Sequence, residues 1–182
     1  VKRLSASAAR RYARALLDVA IAKADPRTVE RELAAVRADL GANAELRAAL
    51  GNPALGTERK KALVAAVWGA ARASELVRRL LAILADRDRL DLVPLIAENY
   101  RLLVLAHEGI APAEVVSAVS LDGEQLAAIE AALQKATGTR VEIEASVDTE
   151  LLGGVLVKLG GRHYDGSVRG RLKALRASLA GA

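Results

Sequence analysis

Through residues 1–108 the apolar positions repeat every three or four residues, and beyond Gly109 they begin to alternate with polar ones. A period near 3.6 buries one face of a helix and a period of two buries one face of a strand, so no single regular architecture accommodates both stretches. The first stretch reads as six short helices. Ser5 or Ser7 is the expected cap of the first, with Ala9, Tyr12, Ala13, Leu16 and Ala20 on one stripe. Asp25-Pro26 joins a cap to a proline at the first helical position, ahead of Val29, Leu33, Val36 and Leu40, and Gly41 ends that run. A short helix over Ala44–Leu50 breaks at Gly51-Asn52-Pro53. Thr57 is expected to cap a helix bearing Leu63, Val64 and Val67 that stops near Gly69, and Ser74 to open one bearing Leu76, Val77, Leu80, Leu81 and Leu84. The last begins near Asp91, tolerates Pro94 in its first turn and turns Ile96, Tyr100, Leu103 and Val104 inward. Helices this short are marginal alone, so the pattern predicts a compact six-helix bundle over residues 1–108.

Residues 109–182 have a different texture. Glu114–Val119 is β-branched and reads as a strand. Asp122 with Gln125 forms a capping-box pattern ahead of Leu126, Ile129, Leu133 and Ala136, and Gly138 ends that helix. Val141, Ile143, Ala145 and Val147 alternate with Glu142, Glu144 and Ser146, the period of a half-exposed strand. Strand, helix and strand in that order predict a parallel pair joined by a right-handed crossover. Gly153-Gly154 precedes a strand through Val155, Val157 and Leu159, and Gly160-Gly161 predicts a two-residue hairpin into Arg162–Tyr164. Asp165 or Ser167 would cap a final helix with Val168, Leu172, Leu175 and Leu179 on one face. The expected fold is α+β overall: an N-terminal six-helix bundle, then a small α/β domain over 109–182 with a short mixed sheet.

The core must be aliphatic. Phe, Met and Cys are absent, and Trp68, Tyr12, Tyr100 and Tyr164 are the only aromatics. Without cysteine there is no disulfide, thiolate metal site or thiol nucleophile. No apolar run reaches the roughly 18 residues of a membrane span, and no signal-peptide pattern opens the sequence, which predicts a soluble, cytoplasmic protein. The net charge of +5 is unevenly spread: residues 1–105 carry +7, residues 106–165 carry −6, and residues 166–182 carry +4. Alternating surfaces of this kind suit a protein with several protein contacts better than a uniform nucleic-acid footprint.

A search for chemistry returns negatives. The glycine run from Gly153 to Gly161 lacks P-loop spacing and lies within a strand pair rather than between a strand and a helix. His107 and His163 fall in different domains, which argues against a histidine metal pair. Asp148, Glu150 and Asp165 could meet around two turns, but turn and cap formation is the plainer role for carboxylates there. Ser117, Ser146, Ser167 and Ser178 have no partners that suggest a nucleophile. The expectation is no catalytic site, no cofactor and no metal. A basic nucleic-acid accessory protein is the competing reading, carried by Arg169, Lys173 and Arg176 on one face of the last helix. It is weakened by the near absence of stacking aromatics and of any recognisable recognition motif. Helix-to-helix binding fits better, with the small residues Ala8, Ala9, Ala13, Ala15 and Ala20 allowing close approach.

Several motifs, in order and across both domains, resemble one family. Arg11-Tyr12-Ala13-Arg14-Ala15-Leu16 is similar to its opening R-Y-A-x-A-L signature. Asn52-Pro53 with Lys60-Lys61 and Leu63 resembles its mid-bundle segment, and Leu84–Leu90 the linker between its fifth and sixth helices. The most specific run is Val147-Asp148, Leu152-Gly153-Gly154-Val155, Gly160, Asp165-Gly166-Ser167-Val168, Leu172, Leu175 and Leu179. The family is the delta subunit of the F-type ATP synthase, whose mitochondrial relative is the oligomycin-sensitivity-conferring protein. The chain departs from it in having Leu17 and Leu76 where an aromatic is common. The resemblance implies a non-catalytic stator adaptor at the cytoplasmic face of a bacterial plasma membrane or an equivalent membrane, attached only through the complex. The bundle would receive the N-terminal helix of an alpha subunit between its first and fifth helices, at Tyr12, Ala13, Leu16, Ala20, Leu76, Val77, Leu80 and Leu84. The C-terminal domain would bind the b subunits, with Arg169, Lys173 and Arg176 as candidates, while Gly153, Gly154, Gly160 and Gly161 shape turns.

Overall fold

The computed structural model describes residues 2–52, 54–149, 151, 153–159 and 162–166. The fold is α+β, with seven α-helices and a mixed four-stranded sheet among those residues. Its contacts divide the chain into two compact units, Val1–Val104 and Leu105–Ala182.

Helices α1 (Lys2–Lys23), α2 (Pro26–Ala42), α3 (Ala44–Gly51), α4 (Thr57–Val67), α5 (Glu75–Asp86) and α6 (Val93–His107) follow one another, with a 3-10 turn at Leu90–Leu92 before α6. The expected stripes supply one core. Val29, Leu33, Val36 and Leu40 of α2 meet Val77, Leu80, Leu81 and Leu84 of α5 and Ile96, Tyr100 and Val104 of α6 in a single buried cluster. Each such aliphatic side chain contributes roughly 1.5–3 kcal/mol when withdrawn from water. Polar ties fix the packing. Asp25 caps α2 by accepting from the Thr28 amide at 2.9 Å, and Glu32 accepts from the Ser74 amide at 2.9 Å where α5 begins. Asp39 accepts from Trp68 Nε1 at 2.8 Å and from Arg72 at 3.0 Å.

Three helix starts differ from the sequence reading, and α2 runs through Gly41 to Ala42, with Asn43 as its C-cap. Helix α1 starts at Lys2, so Ser5 and Ser7 lie inside it; the alanine-rich run around them sustains the helix. Thr57 is the first residue of α4 and Gly56 is its cap, without a side-chain hydrogen bond. The sixth helix begins at Val93, because Leu90–Leu92 takes a tighter turn that buries Leu90 and Leu92.

In the second unit the strands are β1 (Ile110–Ser117), β2 (Arg140–Val147), β3 (Val155–Leu159) and β4 (Arg162–Asp165), in the order β2-β1-β3-β4. Helix α7 (Gly123–Thr137) connects β1 to β2, which pair in parallel as the strand–helix–strand order predicts. Both halves of the capping box form, and Gly138 ends α7 in a left-handed conformation at φ 68°. Strand β1 starts four residues earlier than expected and contains Pro112. Its antiparallel neighbour β3 reaches only to Ala113, so Pro112 lies where β1 has one partner strand and a missing N–H is tolerated. Ala113, Val141 and Leu159 form a small core with Ala111, Leu133 and Ile143. Strand β2 is an edge, and Val147 at its end is 53% exposed.

Candidate functional site

Two helix faces in the first unit meet without closing over each other. On α1 the spacing aligns Ala8, Tyr12, Ala15 and Val19; on α5 it aligns Leu76, Leu80 and Ile83, followed by the C-cap Arg87. Arg87 Nη1 reaches the Tyr12 hydroxyl at 3.4 Å, which sets the two stripes side by side at that end. Ala8 and Leu80 are buried at the floor and Tyr12 and Leu76 are half-buried. Val19 is 39% and Ile83 44% exposed. Exposed aliphatic side chains bordering a half-open seam are what an amphipathic partner helix covers.

The eight groove residues expected from the sequence take different places in this arrangement. Ala13, Ala20, Val77 and Leu84 are fully buried, Leu16 and Leu80 nearly so, and all six belong to the core cluster. Tyr12 and Leu76 alone among the eight retain surface. The sequence reading had Ala15 only among the small residues allowing close approach, and it did not single out Val19 or Ile83. Ile83 carried a signal, being, with Leu76, a large apolar residue of its helix that falls outside the 77, 80, 81, 84 stripe.

The seam ends at a rigid turn. Asp88 has a left-handed backbone, φ 51°, rare for a residue with a side chain. Its carboxylate pairs with Lys60 of α4, which is 1% exposed and the largest charged side chain in the buried interior. The Asp88 amide donates to the Ala85 carbonyl at 3.2 Å and the Arg89 amide to the Leu84 carbonyl at 2.8 Å. Arg87 and Arg89 are thereby held on either side of a fixed point. Ala8, Arg11, Tyr12, Ala15, Arg87 and Arg89 line a cleft of about 300 Å³ there.

In the second unit Gly153 and Gly154 take φ 149° and 80°, letting the chain turn sharply into β3. Gly166 packs against β3: its amide donates to the Val155 carbonyl at 2.9 Å, and a Cβ would stand 3.1 Å from that oxygen. Leu159 and Arg162 are paired across the β3–β4 connection. Its Gly160 and Gly161 lie outside the described residues, as do Pro53, Glu150 and the final helix expected to carry Arg169, Lys173 and Arg176. Among the described residues no group of acidic or histidine side chains is placed to hold a metal ion, and no helix is long and apolar enough to cross a membrane.

Comparison with known proteins gives a consistent result. The family model described as the ATP synthase delta (OSCP) subunit matches residues 8–179. The ATP synthase subunit delta of Trichlorobacter lovleyi is 37% identical over 164 residues, covering 90% of this chain and 91% of that protein. That of Synechococcus elongatus is 38% identical over 170 residues, covering 93% and 94%. Among solved structures, the fold is similar to a chain of the Toxoplasma gondii mitochondrial ATP synthase hexamer, with a TM-score of 0.72, 26% identity and coverage of 94% of this chain and 97% of that one.

Proposed function

The chain belongs to the ATP synthase delta (OSCP) subunit family, and from that premise we propose that it is a non-catalytic stator adaptor joining the catalytic head to the b-subunit stalk. The observation that carries this reading is the extent of the match, which runs from residue 8 to residue 179 and so takes in both compact units. Two units on one chain provide two separate attachment points, and neither interface need be large when the whole stalk supplies avidity.

In this reading residues 1–108 act as a six-helix bundle that receives the N-terminal helix of an alpha subunit across the α1–α5 seam. Tyr12 and Leu76 offer its partly open surface, with Ala15, Val19 and Ile83 beside them. The buried Ala13, Leu16, Ala20, Val77, Leu80 and Leu84 hold the two helices at the spacing the partner needs. Residues 109–182 take the b subunits, with Arg169, Lys173 and Arg176 as contacts. The protein works at the cytoplasmic face of the energy-coupling membrane, tethered through the complex and carrying no nucleotide, metal or proton itself.

The test is sedimentation with the catalytic head. The full chain should bind the head stoichiometrically, and trimming the alpha-subunit N-terminal segment from the head should abolish binding. Equal binding to trimmed and untrimmed heads would refute the proposed contact.

A further inference from the structure

Three motifs that stand apart in the sequence meet at one place in the first unit. Lys60 and Lys61 are consecutive in α4, Asp86 and Asp88 flank Arg87 at the end of α5, and Tyr12 lies on α1. Lys61 Nζ pairs with Asp86 at 2.6 Å and Lys60 with Asp88, so α4 grips the residue on each side of Arg87. Arg87 in turn reaches the Tyr12 hydroxyl at 3.4 Å. The two rungs are unlike. The Lys60 side chain is buried and has little water to exchange for Asp88, whereas that of Lys61 is half-buried and also holds Glu58 at 3.3 Å. Consecutive helical side chains diverge by about 100°, so one rung fixes a distance while two together also fix the rotation of α4 against the turn. The turn is closed besides: the Arg87 amide donates to the Ile83 carbonyl at 3.3 Å and the Arg89 amide to that of Leu84 at 2.8 Å. Helix α1, by contrast, gives the interior Ala8, Ala9, Ala13 and Ala20 beside Leu16 and Leu17. Methyl groups interlock little and resist a shift of the helix less than long side chains do.

We propose that Lys60 and Lys61 are positioning residues for the seam: acting from α4, they fix Arg87 through Asp86 and Asp88 and so set the separation of α1 and α5 that a docked helix meets. This rests on the reading of the seam as the docking site and goes beyond it by giving α4, which does not form the seam, a part in affinity. A buried ammonium is a poor source of stability, because the water it gives up offsets much of what its partner returns. Val64 and Trp68 already join the end of α4 to the common core through apolar contact. What the charged rungs add is one setting among closely similar packings, as polar groups do where they fix register. A helix that docks on a seam already held at the right width has less ordering to offset.

The experiment measures docking and geometry together on the full chain. Binding of a synthetic peptide with the N-terminal sequence of the alpha subunit encoded with the chain is followed by calorimetry. The chain has no cysteine, so cysteines introduced at the exposed Arg14 of α1 and Arg79 of α5 take spin labels whose distance reports the separation of the two helices. Lys61→Glu and Lys60→Met should each weaken peptide binding about fivefold and lengthen or broaden that distance. Lys61→Arg should do neither, and reversing the outer pair, Lys61→Glu with Asp86→Lys, should restore both. Val29→Ala, which opens a cavity in the core at α2, is the control for stability: it should lower the thermal midpoint at least as far with no change in distance. Unchanged binding and distance in Lys61→Glu and Lys60→Met would overturn the proposal and leave docking intact. So would weaker binding that the reversed pair does not rescue, or that Val29→Ala reproduces. No binding by the parent chain would overturn the docking reading, and with it the part of the two lysines in docking.

Discussion

The buried ammonium of Lys60 in α4 closes on the carboxylate of Asp88, whose left-handed backbone forms the turn after α5. Removing Asp88 would strand a charge that is 1% exposed. Asp88→Ala should therefore lower stability by about 1–3 kcal/mol, the more so because alanine is disfavoured at φ 51°. Asp88→Asn should cost less, since asparagine accepts that backbone and keeps an oxygen for Lys60. Lys60→Met should cost less than Asp88→Ala, because an apolar side chain fills the same space without a charge. Urea unfolding of the three variants orders them.

A second prediction concerns Trp68, the only tryptophan in the chain. Its indole N–H is held by Asp39 at 2.8 Å, and Arg72 joins the same oxygen at 3.0 Å. Asp39→Ala leaves a buried donor without its acceptor and should destabilise by about 1–2 kcal/mol, with altered tryptophan emission in the folded state. Arg72→Ala, at a largely exposed side chain, should cost no more than about 1 kcal/mol. Equal losses for the two would mean that Asp39 matters through the surface ion pair.

Tyr100 gives a pH prediction. Burial, followed by the nearby carboxylates of Glu30 and Asp25, pushes its phenol well above the usual tyrosine range. The folded chain therefore keeps this proton after the unfolded chain has released it. The associated stability is complete below the unfolded value of about 10 and is lost progressively as the pH rises beyond it. Tyr100→Phe should remove that component of the alkaline slope. At neutral pH it should cost about 1 kcal/mol through loss of the hydrogen bond from the Tyr100 hydroxyl to the Pro26 carbonyl. Parallel stability curves for parent and variant between pH 9 and 11 would contradict this.

The seam can be tested separately from stability. Ile83→Ser changes an exposed position and should shift stability by no more than about 0.5 kcal/mol, yet weaken binding to the catalytic head about tenfold. Ile21 is similarly exposed at 47% but lies off the Ala8, Tyr12, Ala15, Val19 stripe, so Ile21→Ser is the matched control. Equal losses from both would show that apolar area in general, not this seam, carries the contact.

Much of the fold is legible from local physics. Asp25-Pro26 and Asp122 with Gln125 announce their helix starts because the hydrogen bonds that make a cap are formed within three residues. The 77, 80, 81, 84 stripe locates the core of α5 for the same local reason. Legibility falls where a distant partner decides. Strand β1 runs through Pro112 because β3 stops short of it, a fact of register invisible in the residues around Pro112 themselves.

The site was less legible than the fold. Spacing identifies which helix face is apolar but not whether that face meets its own core or a partner. Ala13, Ala20, Val77 and Leu84 share the interior, while Ile83 remains outside it. Lys60 and Asp88 were visible only as parts of two separate motifs. The structure joins them in one ion pair across a separation of 28 positions, and pairing at that range leaves no trace in either motif alone.

The stator role is tested most directly in membranes depleted of the native subunit, with ATP hydrolysis and ATP-driven proton pumping measured together. An unrestrained head still hydrolyses ATP but transmits no torque to proton flow. Adding this protein should restore pumping while hydrolysis continues, and the restored pumping should depend on the intact alpha-subunit N-terminal segment. Stoichiometric binding to the head and stalk with no recovery of pumping would contradict the account.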